Sequence, residues 1–301
     1  MLINLLLYLL ENFDIIHLVE GEIMNEYSPN VSEHNNNIII SGINFFDLEQ
    51  TFDCGQAFRW SKVTDNKWRG IANGRIIEIG LINEQIILYN TTIKEYDTFW
   101  CEYLDIKRDY GKIISEISNN DILKIAAEQN KGIRILKQDP WEALCSFIIS
   151  QNNNIPRIKG IIERLCENFG EDLGGYYSFP TAEKIANLSV DELSVLRAGF
   201  RARYIIDAAK KVVNNEIDFN VVKNSDIDTA RNELMKILGV CVKVADCTLL
   251  FGFSRIEALP KDVWIKKAIA EYFNGEFPKG AIHYAGIAQQ YLFNYIRKTT
   301  V

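Results

Sequence analysis

Metal-ligating side chains are scarce in this chain. Its 301 residues include three histidines and six cysteines: Cys54, Cys101, Cys145, Cys166, Cys241 and Cys247. The cysteines form no C-x-x-C pair, none lies beyond Cys247, and the histidines lack zinc-type spacing. Neither a zinc site nor an iron–sulfur cluster is expected, and no other cofactor is implied. Thiols without a regular framework suit a reducing, cytoplasmic setting.

Long apolar runs are missing too. The opening L-I-N-L-L-L-Y-L-L is too short to span a bilayer, lacks a basic flank and is followed by acids, so no membrane association is expected. Met24 offers an alternative start, and no function is built on the residues before it. Basic charge is also in deficit. Lys plus Arg number 33 against 40 Asp plus Glu, giving a formal net charge of −7, which argues against a polyanionic partner. The distribution weakens that argument. Residues 1–35 hold six acids (Glu11, Asp14, Glu20, Glu22, Glu26, Glu33) and no Lys or Arg, so the remainder carries only −1. A local cluster of Arg197, Arg201, Arg203, Lys210 and Lys211 is expected to form a basic face.

What is present falls into two halves. Residues 1–35 read as an acidic N-terminal extension open to disorder. From 36 to 130 the pattern is β-rich, with strands expected at 38–40, 57–63, 68–72, 75–79 and 86–89. Asn73-Gly74 signals a type I′ hairpin. Helices near 93–103 and 112–129 are expected to cover one face of this antiparallel sheet. Residues 131–301 read as all-helical. Asp139-Pro140-Trp141-Glu142 looks like a capping box with proline in the first turn, Gly170 stands where a helix should stop, and Ser189 and Ser225 read as further helix starts. The fold class is α+β, a sheet domain with covering helices followed by a helical domain.

One constellation carries chemistry. I-L-G-V-C-V-K-V-A-D-C runs from Ile237 to Cys247, and L-P-K-D-V-W follows from Leu259 to Trp264. A glycine turn between two helical patterns leaves backbone amides at Gly239, Val240 and Val242 to grip a phosphate, helped by the helix dipole. By pattern alone it is equally a structural joint between two packed helices. Lys243 would ordinarily be a solvated surface lysine, but Val240, Val242 and Val244 around it argue for a semi-buried amine. Asp262 reads first as the N-cap of the next helix, a role compatible with catalysis.

Taken with four other strings in order, the segment resembles the helix-hairpin-helix DNA glycosylases, in particular the 8-oxoguanine DNA glycosylase/AP lyase branch. The strings are G-Q-A-F-R-W (55–60), S-Q-N-N-N-I-P-R-I (150–158), F-R-A-R-Y (200–204), K-V-A-D-C (243–247) and Y-A-G-I-A-Q (284–289). The resemblance implies an all-α helix-hairpin-helix domain at 131–301 and a partner in double-stranded DNA containing 8-oxoguanine. It also implies a monomer, cytoplasmic and nucleoid-associated if bacterial. It assigns Lys243 as nucleophile and Asp262 as stabiliser of the cationic sugar. Gly55, Cys247, Gln289 and Phe293 would hold the lesion base, Gly55 through its carbonyl. Asn152 would fill the gap left by the flipped nucleotide, Phe200 would wedge beside it, and Arg157 and Arg201 would read the orphaned cytosine.

The chain departs from the family pattern in places. Cys241 replaces the second hairpin glycine and Leu238 the preceding proline. Trp264 stands where a phosphate-contacting histidine is usual, and Phe200 replaces a tyrosine. Two alternatives stay open. One is a related glycosylase for another damaged base, against which Lys243 and the missing cysteine cluster both count. The other is a non-catalytic hairpin DNA-binding module, which would need neither Lys243 nor Asp262.

Overall fold

Asparagine-rich turns make the sheet. Asn35-Asn36, Asn73-Gly74 and Asn83-Glu84 each place two successive residues at positive φ, the requirement of tight type I′ hairpins, which short polar side chains and glycine meet at least cost. In the computed structural model, which describes residues 27–299, these turns fold six strands: β1 (Asn30–His34), β2 (Asn37–Ser41), β3 (Trp60–Thr64), β4 (Lys67–Ala72), β5 (Arg75–Ile82) and β6 (Gln85–Tyr89). They pair antiparallel in the order β1-β2-β6-β5-β4-β3.

Two boundaries differ from expectation. Residues 30–34, assigned above to the extension, are the edge strand β1; the part of the extension before residue 27 lies outside the described residues. The strand expected from residue 57 begins only at Trp60, and residues 53–59 form an irregular loop.

Alternation buries one face of the sheet. Ile38, Ile40, Trp68, Ile77, Ile79, Ile86 and Leu88 point into a core closed by Phe52, Tyr96, Trp100 and Tyr103. Trp60 stacks on Phe52 with ring centroids 3.8 Å apart. It also lies over Gly70, where a Cβ would come within 2.4 Å of the indole. Only glycine fits there.

The helices of eight residues or more are α1 (Tyr110–Ile117), α2 (Asp121–Asn130), α3 (Pro140–Ile149), α4 (Ile155–Phe169), α5 (Arg201–Val213), α6 (Ile227–Leu234), α7 (Val242–Gly252), α8 (Val263–Tyr272) and α9 (Ala285–Thr299). Helices α1 and α2, expected to cover the sheet, instead bury Tyr110, Ile113, Ile117, Leu123 and Ala126 in the helical core, with α2 against α9. By packing, the helical body therefore begins before residue 131. Asp226 rather than Ser225 caps α6, and Ser225 ends the short helix before it. No described helix is long and apolar enough to cross a membrane.

Helix α7 is the axis of the helical body. From Val244 onward its residues are buried, and it packs along α3, with Phe251 and Phe147 stacked at 5.1 Å. Only its first turn reaches the surface, which places Lys243 at the boundary.

On α3, the N-cap Asp139 accepts from the Glu142 amide at 2.9 Å, but the Glu142 side chain does not complete a capping box. It is buried instead, 3.8 Å from Arg59. Burial pushes its carboxyl up to about 7, against the pull of the guanidinium. The folded state thus holds this proton more tightly than the unfolded chain. The contribution to stability is greatest at low pH and falls as pH rises from about 4.5 through about 7, by ~3 kcal/mol in all. Glu142→Gln should flatten that slope, as read from urea midpoints at pH 5 and pH 8. Equal slopes in the two proteins would take Glu142 out of the account.

Candidate active site

A cleft of about 690 Å³ opens where α7 and α8 begin, lined by Gly55, Phe147, Ser150, Lys243, Asp262 and Phe293 among others. Lys243, the second residue of α7, is half-buried. Its Nζ donates to Ser150 Oγ at 3.2 Å and lies 5.5 Å from the Phe147 ring centroid. Ser150 in turn donates to the Phe147 carbonyl at 2.8 Å, so its hydroxyl presents lone pairs to the amine. Asp262 caps α8, its Oδ1 accepting the Ile265 amide at 2.8 Å. The cap uses one carboxylate oxygen, and the other accepts no hydrogen bond among the described residues. Lys243 and Asp262 share the cleft, and no ion pair joins them among the described residues.

Of the four residues expected around a base, Gly55 and Phe293 line the cleft, whereas Cys247 and Gln289 are buried and do not line it. Gly55 has φ +86°, and a Cβ there would come within 3.2 Å of Ile155 and 3.9 Å of Phe293. Glycine is needed both for the backbone and for this approach. Gln289 is buried, and its Oε1 accepts no hydrogen bond from the described residues. A buried acceptor left in this state costs about 1–3 kcal/mol, a cost that a polar ligand edge could relieve. Cys247, one turn from Lys243 on α7, is buried. Burial pushes its thiol up to about 11 despite the opposing charge of Lys243, so it offers a neutral sulfur surface.

The hairpin between α6 and α7 depends on Gly239. It sits at φ +77°, and a Cβ would lie 2.3 Å from the Tyr204 ring. The three expected amides are not equivalent. Val240 is buried and its N–H already donates to the Ile237 carbonyl at 3.1 Å, so it is not free for a phosphate. Leu238, in the proline's place, has its N–H on Asp207 at 2.7 Å. Gly239 and Val242 carry no such bond among the described residues. The N-cap position of α7 is Cys241, an exposed residue that makes no side-chain cap, whereas Asp or Asn caps α1–α4, α6 and α8. The positive end of α7 is left open. Around it stand exposed Phe200, Leu238, Val242, Val263 and Trp264.

Arginines behave differently from expectation. Arg157 is exposed at the start of α4, and its side chain makes no bond among the described residues. Arg201 is 3% exposed. Its guanidinium donates to the Gln151 carbonyl (Nε, 2.9 Å, and Nη2), to Asn152 (2.9 Å) and to Ala198 (3.0 Å), and stacks on Phe200. Four of its five N–H groups are used, so in this conformation Arg201 braces the 151–152 turn rather than presenting donors to a base. The turn itself is tight: Asn152 is exposed with φ +48°. The expected basic face is reduced rather than lost: Lys211 is tied to Asp207 and the Lys236 carbonyl, while Arg197, Arg203 and Lys210 stay exposed. Lys261 and Lys266, which line the cleft, are the cations beside the site. They had no signal in the sequence beyond their proximity to Asp262. Ser150 opens one of the strings that carry the resemblance, but nothing in a separation of 93 residues links it to Lys243.

Two family models match the chain. One, described as 8-oxoguanine DNA glycosylase, N-terminal domain, covers residues 38–144, and the HhH-GPD superfamily base excision DNA repair model covers 145–280. Among solved structures, MBOgg1 in complex with a low-affinity DNA ligand is 39% identical, with a TM-score of 0.85 over 91% of this chain and 100% of that one. The Clostridium acetobutylicum 8-oxoguanine glycosylase/lyase, bound to duplex DNA with cytosine opposite 8-oxoG, is 36% identical, with a TM-score of 0.85 over 92% and 100%. The N-glycosylase/DNA lyase of Saccharomyces cerevisiae is 40% identical over 153 residues, 46% of this chain but only 41% of the yeast protein's length.

If Arg201 is a brace, its loss strands three carbonyls that it now holds. Arg201→Met should lower the unfolding free energy by about 2 kcal/mol or more, measured by urea titration without any ligand. An unchanged midpoint would return Arg201 to the cleft as a free donor.

Proposed function

This chain belongs to the 8-oxoguanine DNA glycosylase family of base excision repair proteins, and on that premise we propose that it is a bifunctional glycosylase and AP lyase. It acts as a monomer in the cytoplasm (at the nucleoid, in a bacterium), flipping 8-oxoguanine out of duplex DNA, preferentially opposite cytosine, and excising it. The observation that carries the reading is an amine at the open end of a buried helix, sharing one cleft with a helix-capping carboxylate and with Gly55 and Phe293.

The chemistry follows from that placement. An ammonium has no lone pair, so Lys243 gives up a proton before its nitrogen attacks the sugar C1′. The bond from C1′ to the base breaks, and the base leaves with the electron pair. The carboxylate oxygen of Asp262 outside the cap faces the positive charge that develops on the sugar, an electrostatic contribution that fixed protein groups make without reorganising. Opening of the sugar ring gives a Schiff base on Lys243. Loss of a C2′ proton then expels the 3′ phosphate and nicks the strand. Ser150, as an acceptor only, holds one N–H of Lys243 and so orients the nitrogen.

Recognition uses the oxidised edge. Oxidation converts guanine N7 from acceptor to donor, so the Gly55 carbonyl gains a hydrogen bond from the lesion and meets an acceptor in guanine. A difference of about 1–3 kcal/mol follows. Phe293 and Cys247 cover the two faces of the base, and Gln289 supplies the amide for its Watson–Crick edge. Asn152 at its exposed turn fills the gap in the stack with Phe200 beside it, and Arg157 is the guanidinium free to meet cytosine. Gly239 and Val242 offer amides to the backbone phosphates.

Borohydride should trap a covalent adduct on an 8-oxoguanine duplex, and Lys243→Gln should abolish both adduct and base release while lesion binding persists. Trapping that survives in Lys243→Gln would place the nucleophile elsewhere. Asp262→Asn should slow excision about 10²-fold or more.

Excision opposite cytosine should exceed that opposite adenine by about tenfold, or ~1.4 kcal/mol. Arg157→Ala should narrow the gap, mainly by slowing the reaction opposite cytosine. Single-turnover rates with all four opposite bases test this, and a flat wild-type profile would contradict it.

A further inference from the structure

Glycine lets Gly55 approach its neighbours, but it also leaves the direction of its carbonyl undetermined by its own residue. Something else must aim it. The carbonyls on either side are each held from outside. The Asp53 carbonyl accepts from Arg297 at 3.1 Å, that of Cys54 from Gln290 Nε2 at 3.0 Å, and that of Gln56 from Gln138 Nε2 at 2.7 Å. Among the described residues no hydrogen bond ends on the Gly55 carbonyl between them. Gln290 and Arg297 lie two turns apart on one face of α9, with Phe293 between them. Gln290 is 4% exposed, so its amide is part of the interior rather than a surface group.

We propose that Gln290 is a positioning residue that sets the specificity of lesion recognition by aiming the Gly55 carbonyl; the inference rests on the function proposed above. The peptide plane before Gly55 carries the Cys54 carbonyl, and the plane beyond Gln56 carries the Gln56 carbonyl. Fixing both planes fixes the one between them, which bears the Gly55 carbonyl. Gln290 holds the first plane and Gln138 the last. The same helix carries Phe293, whose ring lies 3.9 Å from the ideal Cβ position at Gly55. Gln290 therefore sets the acceptor in register with the stacking ring. Without its donor the glycine relaxes, and the single hydrogen bond that separates 8-oxoguanine from guanine loses its alignment. The chemistry at Lys243 does not depend on this contact.

The test is Gln290→Met, which keeps length and apolar stem but removes the donor. Binding is measured in the Lys243→Gln background on duplexes carrying 8-oxoguanine, guanine or an abasic analogue. Nicking of a preformed abasic duplex is measured with Lys243 intact. The ratio of guanine to 8-oxoguanine dissociation constants should fall at least about fivefold, and 8-oxoguanine excision should slow about tenfold. Abasic binding and nicking should stay within about twofold. An unchanged ratio, or equal losses on lesion and abasic substrates, overturns the proposal. If Gln290→Met does not fold, Gln290→Leu decides, since it removes the same donor. Its ratio should fall likewise, and an unchanged ratio overturns the proposal. Failure of the wild-type protein to excise 8-oxoguanine would instead sink the parent reading.

Discussion

Gln56 is completely buried, and its carboxamide joins the two halves of the molecule. It donates to the Thr51 and Arg134 carbonyls, both at 2.8 Å, and accepts from the Leu136 amide at 2.9 Å. The segment between sheet and helices is thereby stitched to the loop that precedes β3. Arg134, also fully buried, adds bonds to the carbonyls of Asn44, Asp105 and Arg108 and lies over the Tyr110 ring at 4.5 Å. A buried network of this kind rigidifies, because each bond in it is costly to break, although Arg134 Nε itself has no partner among the described residues. Two separate apolar cores consequently behave as walls of one cleft, with Gly55 contributed from the sheet side and Phe293 from the last helix.

Much of the architecture was legible in local chemistry. Asn73-Gly74 announced its hairpin, and Asp139 and Asp262 announced helix starts, because turn and cap preferences act over a few residues. Residues 57–59 were misread as the start of a strand, since Ala57 and Phe58 look like β residues when their tertiary burial is unseen. Helices α1 and α2 showed an apolar face, but such a face does not say what covers it.

The site divides along the same line. Lys243 and Asp262 were legible because each lies at a helix start, and the resemblance named their roles. Arg201 was expected to present free donors, and the carbonyls about 50 residues away that hold it in this conformation have no signature in the sequence. Val240 was similarly assigned a free amide that the turn itself consumes. Residue identity is local information; the allocation of donors is not.

The uncapped end of α7 has a consequence for movement along DNA. Counterion release scales with the number of cationic side chains laid on phosphates, whereas amides and a helix dipole release few ions. In the proposed role, a near-neutral body that takes part of its grip from amides dwells more briefly on intact duplex than one that grips by cations alone, and scans more sequence per encounter. Its residence time lengthens only where a base can be everted into the pocket, so damage is found by arrest rather than by affinity for the polymer.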